Sequence, residues 1–192
     1  MIKTENFEKI EITASAELRE WLFKNHEQKE SVWVVTYKKG IIEKYVSVQE
    51  VLDQLLCFGW IDGIRRKLDE ERTMQLISPR KVEHWAQTYK VRFAKLEKEG
   101  LVHQSGLDSV IASIQSGLWD FMDDVDNLII PIDLLTALNK NPSAFTYFEA
   151  LSPSNKRFVL RYIKLAKTKE TRQKRIFQTV TLAAQNKKIP GL

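Results

Sequence analysis

The residues from Ser31 to Tyr37 limit the possible folds of this chain more than any other segment. They read Ser-Val-Trp-Val-Val-Thr-Tyr, a run of β-branched and aromatic side chains without glycine, proline or a charged residue. This composition is typical of a β-strand, and the unbroken run predicts a strand in the middle of its sheet. The fold must therefore contain a sheet at this position.

Weaker signals on either side predict further strands and two helices. Ser47 and Glu50 have the spacing of a capping box, which begins a helix that Gly59 ends. The pair Asp62-Gly63 has the chemistry of a tight turn. The predicted strands are 9–12, 64–68 and 73–77. The predicted helices are one that Thr13 or Ser15 caps and that runs to about Asn25, and one at 47–58.

The hydrophobic period changes to that of a helix at Val82. Apolar residues then recur in steps of three and four, which places them on one helix face. A second helix is predicted to end at Gly117. The predicted core residues are Val82, Trp85, Tyr89, Phe93 and Leu96 in the first helix and Leu107, Val110, Ile111 and Ile114 in the second.

The C-terminal part is predicted to be entirely helical. Asn141-Pro142 and Ser152-Pro153 each combine an N-cap residue with a proline in the first turn, and Thr168 can cap the last helix. The fold class is therefore α+β, with a small, mostly antiparallel sheet and helices followed by a helical module. The predicted domains are 1–122 and 131–192, joined by an acidic linker at 123–130.

The composition indicates a globular protein, with 43% hydrophobic and 29% charged residues. Its one cysteine, Cys57, excludes an intramolecular disulfide and lies in an apolar run, which favours a buried thiol in a reducing compartment. The first residues do not resemble a signal peptide, and no apolar stretch approaches the roughly 20 residues of a membrane span. We expect a cytoplasmic protein.

No sequence motif of catalysis or metal binding is found. The three histidines, His26, His84 and His103, lack metal-ligand spacing and are interpreted as solvated or capping residues. Cys57 lies near a predicted helix C-terminus, where the dipole disfavours a thiolate. The acidic run at 123–126 lacks the glycine and distal glutamate of a calcium loop. We expect no cofactor, and the sequence favours a non-enzyme without excluding an enzyme.

Four short motifs together resemble a known bacterial family. In this order and spacing they are similar to the YdeI/OmpD-associated family, also described as bacteriocin-protection proteins, and the resemblance covers about residues 21–188. The heptapeptide at 57–63 is the most specific of them. The motifs are Tyr37-Lys38-Lys39, Cys57-Phe58-Gly59-Trp60-Ile61-Asp62-Gly63, Ser78-Pro79-Arg80 and Thr171-Arg172-Gln173-Lys174-Arg175-Ile176.

The resemblance implies little chemistry. Family members usually continue after the Pro-Arg with Trp-Ser-x-x-Asn, whereas residues 85–89 here read Trp-Ala-Gln-Thr-Tyr and lack that serine and asparagine. The family description implies a part in tolerating cationic peptides or envelope stress. The segment from Pro131 onward is similar to the part for which the family is named.

The segment after Gly59 has two interpretations. In one, Trp60 is the apolar wall of a ligand pocket and Asp62 an acceptor or base, with cations brought near by the sheet. In the other, which is favoured because it needs no ligand, Asp62 belongs to a tight turn and Trp60 fills the core. The candidate pocket residues are Lys38, Trp60, Asp62, Arg66 and Arg80.

Positive charge is concentrated near the C-terminus. Residues 138–192 hold 12 Lys and Arg against two Glu, a net charge of +10, whereas residues 1–137 have a net charge of −5. Lys169 and Arg172 fall in the first turn of the last predicted helix, where cations oppose the dipole and a bound anion would remove that penalty. The candidate anion-binding residues are Arg157, Arg161, Lys164, Lys169, Arg172 and Arg175.

Three interpretations of this basic segment remain open. It can bind nucleic acid, polyphosphate or an anionic lipid surface; it can dock on the acidic N-terminal domain or an acidic partner chain; or it can be a solvated face. Phe158, Tyr162 and Phe177 are interpreted as core residues, which leaves few aromatics to stack on bases.

The preferred hypothesis is a non-catalytic binding or protective protein whose basic C-terminal helices engage an anionic partner. The alternative is a small-molecule-binding protein or enzyme with a pocket around Trp60 and Asp62.

Overall fold

The computed structural model describes residues 6–190, which form two compact units. The division falls between Asp120 and Phe121, so that unit 1 is Met1–Asp120 and unit 2 is Phe121–Leu192. Residues 1–5, at the start of the first predicted domain, and 191–192, at the end of the second, lie outside the described residues. Unit 1 contains a sheet with helices, and the described part of unit 2 is helical, which confirms the predicted α+β class.

Unit 1 is built on a four-stranded sheet with the strand order β1-β2-β4-β3. β2 pairs in parallel with β1 and antiparallel with β4, and β4 pairs antiparallel with β3. The predicted central strand is therefore confirmed as β2, and its first five residues are all buried. The strands are β1 (Lys9–Glu11), β2 (Val32–Tyr37), β3 (Trp60–Lys67) and β4 (Arg72–Pro79).

Helices of unit 1 share a hydrophobic core with this sheet. The predicted capping box is present at the start of the second helix, where Ser47 and Glu50 each accept a backbone N–H from the other residue. The core joins Leu22, Val34 and Leu55 with large aromatic side chains. The helices are α1 (Ser15–Asn25), α2 (Val48–Cys57), α3 (Gln87–Lys98) and α4 (Gln104–Gln115).

Asp62-Gly63 lies inside β3 and does not form the predicted turn. Asp62 pairs with Ile77 of β4, and the register shifts between Asp62 and Arg65, so the strand contains an irregularity there. A Cβ on Gly63 would lie 3.2 Å from the carbonyl oxygen of Leu76. Because bulged strands and turns use similar residues, local composition did not distinguish the two.

Helix α3 begins five residues later than the period predicted. Val82 is exposed, whereas Trp85, which precedes the helix, is fully buried. The indole N–H of Trp85 donates to Ser113 Oγ of α4 at 2.9 Å. This hydrogen bond to α4 therefore fixes the position of Trp85, although Trp85 itself is not part of a helix.

Helix α4 turns to the core only part of the face that its hydrophobic pattern indicated, with Leu107 and Val110 packed against the core. Ile111 and Ile114 are exposed, and the small residues Gly106 and Ser113 are buried. A Cβ on Gly106 would overlap the carbonyl oxygen of Cys57 at the end of α2. Backbone proximity between these two helices therefore selects the buried face.

The described part of unit 2, residues 121–190, contains five helices around its own core. The predicted N-caps are confirmed, since the side chains of Asn141, Ser152 and Thr168 each accept a backbone N–H three residues on. Leu134 and Ile163 are among the fully buried residues. The helices are α5 (Asp123–Asp126), α6 (Ile132–Asn139), α7 (Pro142–Glu149), α8 (Pro153–Lys164) and α9 (Lys169–Ala184).

The segment 123–130, predicted to be a linker, belongs to unit 2 instead. Its acidic residues form α5, and the apolar residues Met122 and Val125 are buried in the core of unit 2. The spacing of these two apolar residues places both on one side of a helical turn, which anchors the segment. Its carboxylates therefore count toward the charge of unit 2.

We expect Gly106→Ala to destabilise unit 1 by about 1–3 kcal/mol, because the added methyl group has no room beside the Cys57 carbonyl. Alanine normally stabilises a helix by about 1 kcal/mol relative to glycine. The overlap with the Cys57 carbonyl therefore makes a normally stabilising substitution destabilising. Tryptophan fluorescence during urea unfolding measures unit 1 alone, since this unit holds all five tryptophans, Trp21, Trp33, Trp60, Trp85 and Trp119.

Gly40→Ala is the control, since nothing lies within 4 Å of a Cβ there. It should change the free energy of unfolding by less than about 0.5 kcal/mol. A stabilised Gly106→Ala variant would contradict the close approach of α4 to α2.

Candidate functional site

The five predicted pocket residues lie toward two ends of the sheet in unit 1. Trp60 begins β3 opposite Pro79, and Arg80 follows directly after that proline. Arg66 lies near the β3–β4 turn, as does Lys38, whose N–H donates to the carbonyl of Glu71. Strands rise about 3.3 Å per residue, so Trp60 and Arg66 are separated by about 20 Å along β3. The sheet therefore does not gather the five residues into one pocket.

Lys38 and Arg66 both make structural contacts. The Nζ of Lys38 donates to the carbonyl oxygens of Asp69 at 3.0 Å and Glu70 at 2.6 Å, which closes the turn between β3 and β4. The guanidinium of Arg66 lies 5.5 Å from the ring centre of Trp33. These contacts explain both side chains without a ligand.

Trp60 fills the core of unit 1. It is fully buried, and its ring meets that of Trp21 edge-on with centroids 5.6 Å apart. Its indole N–H donates to the carbonyl oxygen of His26 at 3.4 Å. This placement matches the part of the turn interpretation that assigned Trp60 to the core.

Asp62 is bonded at both of its carboxylate oxygens. Oδ1 accepts the hydroxyl of Tyr89 at 2.7 Å, and Oδ2 accepts the side-chain amide of Gln75 at 3.3 Å. Gln75 is itself buried in β4. The carboxylate therefore ties α3 to the sheet.

Arg80 is buried near this carboxylate. Its side chain is 3% exposed, and its guanidinium carbon lies 3.9 Å from the ring centre of Trp85. Nη2 donates to the carbonyl oxygen of His84 at 3.3 Å and lies 3.9 Å from a carboxylate oxygen of Glu83, whereas Nε and Nη1 have no partner. Burial lowers the pKa of Arg80, and the acidic groups around it, Glu83 foremost, oppose that effect.

We expect Arg80→Met to leave unit 1 as stable as before or up to about 2 kcal/mol more stable. A buried unpaired N–H costs about 1–3 kcal/mol, and a cation–π contact returns about 0.5–2 kcal/mol. Arg92→Met is the control, because Arg92 bonds to both Asp53 and Gln49, and it should cost about 1–3 kcal/mol. Urea midpoints from tryptophan fluorescence compare the two; a larger loss in Arg80→Met would contradict the unpaired state of Arg80.

Two histidines that are distant in sequence meet in unit 1. The ring centroids of His26 and His103 are 4.6 Å apart, and Phe58 stacks on His103 at 5.0 Å. His103 is the N-cap of α4, where its Nδ1 accepts the backbone N–H of Ser105 at 3.2 Å. This confirms the capping interpretation for His103, and the role requires an unprotonated Nδ1.

We expect unit 1 to lose stability as the pH falls below about 6.5, the pKa of an unfolded histidine. Burial lowers the pKa of folded His103, and the charges of His26 and Arg19 lower it further, so the unfolded chain takes up the proton first. The stability that neutral His103 contributes is fully present above about pH 6.5. It is lost as the pH falls from there to the lowered pKa of His103 in the folded protein. His103→Asn keeps a capping acceptor without a titrating ring.

The measurement is the urea midpoint of unit 1 between pH 7 and 5, followed by tryptophan fluorescence. The His103→Asn variant should show a flatter dependence than the unchanged chain. Equal dependence in the two proteins would show that His103 does not carry the effect.

Cys57 lines a groove of about 570 Å³ between α2 and α3. Its side chain is buried, and burial raises the pKa of the thiol. The charged walls of the groove pair with each other, since Arg92 bonds to Asp53. The thiol therefore keeps its proton at neutral pH and is a poor nucleophile.

Two of the predicted anion-binding residues in unit 2 form ion pairs there. Lys164 pairs with Asp124, and Arg172 forms a bidentate pair with Asp133, with distances of 2.6 Å from Nε and 2.9 Å from Nη2. The Arg172 guanidinium lowers the pKa of Asp133, and Asp133 raises that of Arg172. The first turn of α9 thus receives a carboxylate from α6, which offsets the charge of Arg172 there.

Two other predicted residues bond to backbone carbonyls. Arg157 donates to the carbonyl oxygen of Asp126 at 3.1 Å. Arg175 donates to the carbonyl oxygen of Tyr162, and its guanidinium carbon lies 4.4 Å from the centre of the Tyr162 ring. Four of the six predicted residues are therefore bonded within unit 2.

A different set of cations remains available in unit 2. The unit holds 12 Lys and Arg and six Asp and Glu, a net charge of +6, because four of the acids lie between residues 123 and 133. Among residues 121–190, six exposed lysines have no ion pair, and only one of them was in the predicted set. We call these the unpaired lysines: Lys140, Lys167, Lys169, Lys174, Lys187 and Lys188.

A groove of about 460 Å³ lies between α6 and α9, and we call it the α6–α9 groove. Phe177, at its edge, is 73% exposed, and Phe158 on α8 is 50% exposed. Both were interpreted as core residues, but α9 buries Ile176 and Thr179 instead. The groove is lined by Asp133, Ala137, Lys140, Lys169, Arg172, Gln173, Ile176, Phe177 and Val180.

Within residues 6–190, no helix is long and apolar enough to cross a membrane. No three His, Cys, Asp or Glu side chains of those residues come together as a metal site would require.

Two family models match the chain. The model described as a domain of unknown function (DUF8412) matches residues 10–109, more than half of the chain, and this region includes the heptapeptide at 57–63. The model described as Bacteriocin-protection, YdeI or OmpD-Associated matches residues 127–186, which confirms the family resemblance in unit 2. No curated protein and no solved structure matches the chain.

Proposed function

This chain belongs to the family described as a domain of unknown function (DUF8412) and carries a YdeI/OmpD-associated segment in unit 2, and from this premise we propose that it works by binding an anionic partner. The binding surface is formed by the unpaired lysines of unit 2. The observation that carries the proposal is the set of unpaired lysines, which keep exposed charge after neighbouring carboxylates have paired with other cations.

Most arginines of unit 2 make contacts within the unit, whereas six of the eight lysines in its described part have no ion pair. Arg157, Arg172 and Arg175 bond within the unit and so support its fold. A fork of donors suits such fixed contacts, whereas a lysine on a flexible stem suits a mobile surface charge. Charges of one sign on one unit attract an anionic partner over about the 8–10 Å of the Debye length at physiological salt.

The family description of unit 2 also names bacteriocin protection. Positive charge repels a cationic peptide, so a surface of this kind is unsuited to capture one directly. We propose that protection, in this chain, works by occupying an anionic partner.

The alternative of a ligand pocket around Trp60 and Asp62 has less support. Trp60 is fully buried, and both carboxylate oxygens of Asp62 accept hydrogen bonds from within unit 1. A substrate would have to displace those donors before the carboxylate could act as a base.

We expect the triple charge reversal Lys167→Glu, Lys169→Glu and Lys174→Glu to weaken retention of the full chain on immobilised heparin, with elution at much lower salt. The lost contacts should also reduce the salt dependence of binding, because fewer counterions are released. The matched control reverses three exposed lysines of unit 1 that have no ion pair, Lys29, Lys39 and Lys98, and changes the net charge equally.

The control variant should elute close to the unchanged chain. If both triple variants elute at the same salt, net charge alone governs retention and the proposed surface is wrong.

A further inference from the structure

We propose that the α6–α9 groove is the docking site for an acidic amphipathic helix of a partner protein. This inference rests on the proposed function and identifies the partner of unit 2 more closely. It starts from the groove lining, which combines an apolar floor with cations.

One face of each helix forms the groove. Asp133, Ala137 and Lys140 follow each other at steps of four and three on α6. On α9, Lys169, Arg172, Ile176 and Val180 repeat at similar steps. Residues at such steps share one face of a helix, so two continuous faces line the groove.

The bidentate pair of Arg172 with Asp133 joins the first turns of both helices. Lys169 therefore lies near the start of α6, and Lys140 follows its end. A helix rises 1.5 Å per residue, so the step from Asp133 to Lys140 covers about 10 Å. Two unpaired cations thus stand toward opposite ends of the groove.

The floor between these cations is apolar. Ala137, Ile176 and Val180 line it, and the small alanine leaves space for a close approach. Phe177 stands at the edge and is largely in water. An exposed large apolar side chain beside an apolar groove is typical of a surface that a partner covers.

These features specify the chemistry of the occupant. Lys169 lies three residues, about 4.5 Å, before Arg172, so the two lysines are about 15 Å apart along the groove. A helix with acidic residues ten or eleven positions apart would match this distance. Apolar residues three and four positions after the first acid lie on the same face and meet the floor. Helix-in-groove binding is a common mode of peptide recognition.

Nucleic acid fits the groove less well. The carboxylate of Asp133 lies in the lining and would repel phosphates, and Phe177 is the one side chain among the described residues of the lining on which a base could stack. An acidic helix, in contrast, uses both the cations and the aliphatic floor.

The test is a selection of random 14-residue peptides, displayed on phage, against the full chain, followed by fluorescence anisotropy of the enriched peptides. We expect enrichment of sequences with acids ten or eleven positions apart and apolar residues between them. Phe177→Ser should weaken their binding at least tenfold. Phe158→Ser removes a second exposed phenylalanine of unit 2 that lies outside the groove lining and should change binding less than twofold.

Several results would overturn the inference. These are no enrichment, enrichment of peptides without acids, or equal binding to the Phe177→Ser and Phe158→Ser variants. Tighter binding of single-stranded oligothymidine that depends on Phe177 would assign the groove to nucleic acid instead.

The experiments test the proposed function and the groove assignment independently. If the heparin experiment distinguishes the two triple variants but Phe177→Ser binds the peptides normally, unit 2 still binds anions and only the groove assignment is wrong. Far-UV circular dichroism of each variant confirms that the helices of unit 2 have formed.

Discussion

Carboxylates on the early helices of unit 2 determine which of its cations are held in ion pairs. Asp124 and Asp133 pair with Lys164 and Arg172, and the second pair also joins the first turns of α6 and α9. An exposed ion pair contributes little to stability by itself, but a bidentate arginine has a defined geometry and so orients the two helices. The α6–α9 groove and the distribution of unpaired lysines both follow from this arrangement.

In unit 1, by contrast, the polar groups of Asp62 and Arg80 are bonded within the unit or buried, and do not remain as exposed charges. Asp62, Gln75 and Tyr89 bond to one another between the sheet and α3, and Arg80 lies buried on Trp85 with two N–H groups unpaired. Buried donors without acceptors are rare in proteins, because each carries its full desolvation penalty. Aromatic stacking compensates Arg80 in part, and the rigid core of unit 1 holds it in place.

Local signals in the sequence predicted much of this structure. The strand at 31–37, the capping box at Ser47 and the N-caps at Asn141, Ser152 and Thr168 are confirmed, because each depends on residues within a few positions. Part of the buried face of α4 escaped prediction, since it depends on the approach of two backbones at Gly106. The pairing of Arg172 with Asp133 escaped it as well, because 39 residues separate the two in sequence.

The exposed ring of Phe177 also affects how separate molecules of this protein behave toward each other. The unpaired lysines Lys140 and Lys169 line the groove beside it, and we expect their repulsion to keep two such rings apart in dilute salt. At about 1 M salt the screening length falls to about 3 Å, and that repulsion is lost. Concentrated salt should therefore promote self-association through this ring, so colloidal stability and recognition depend on the same few side chains.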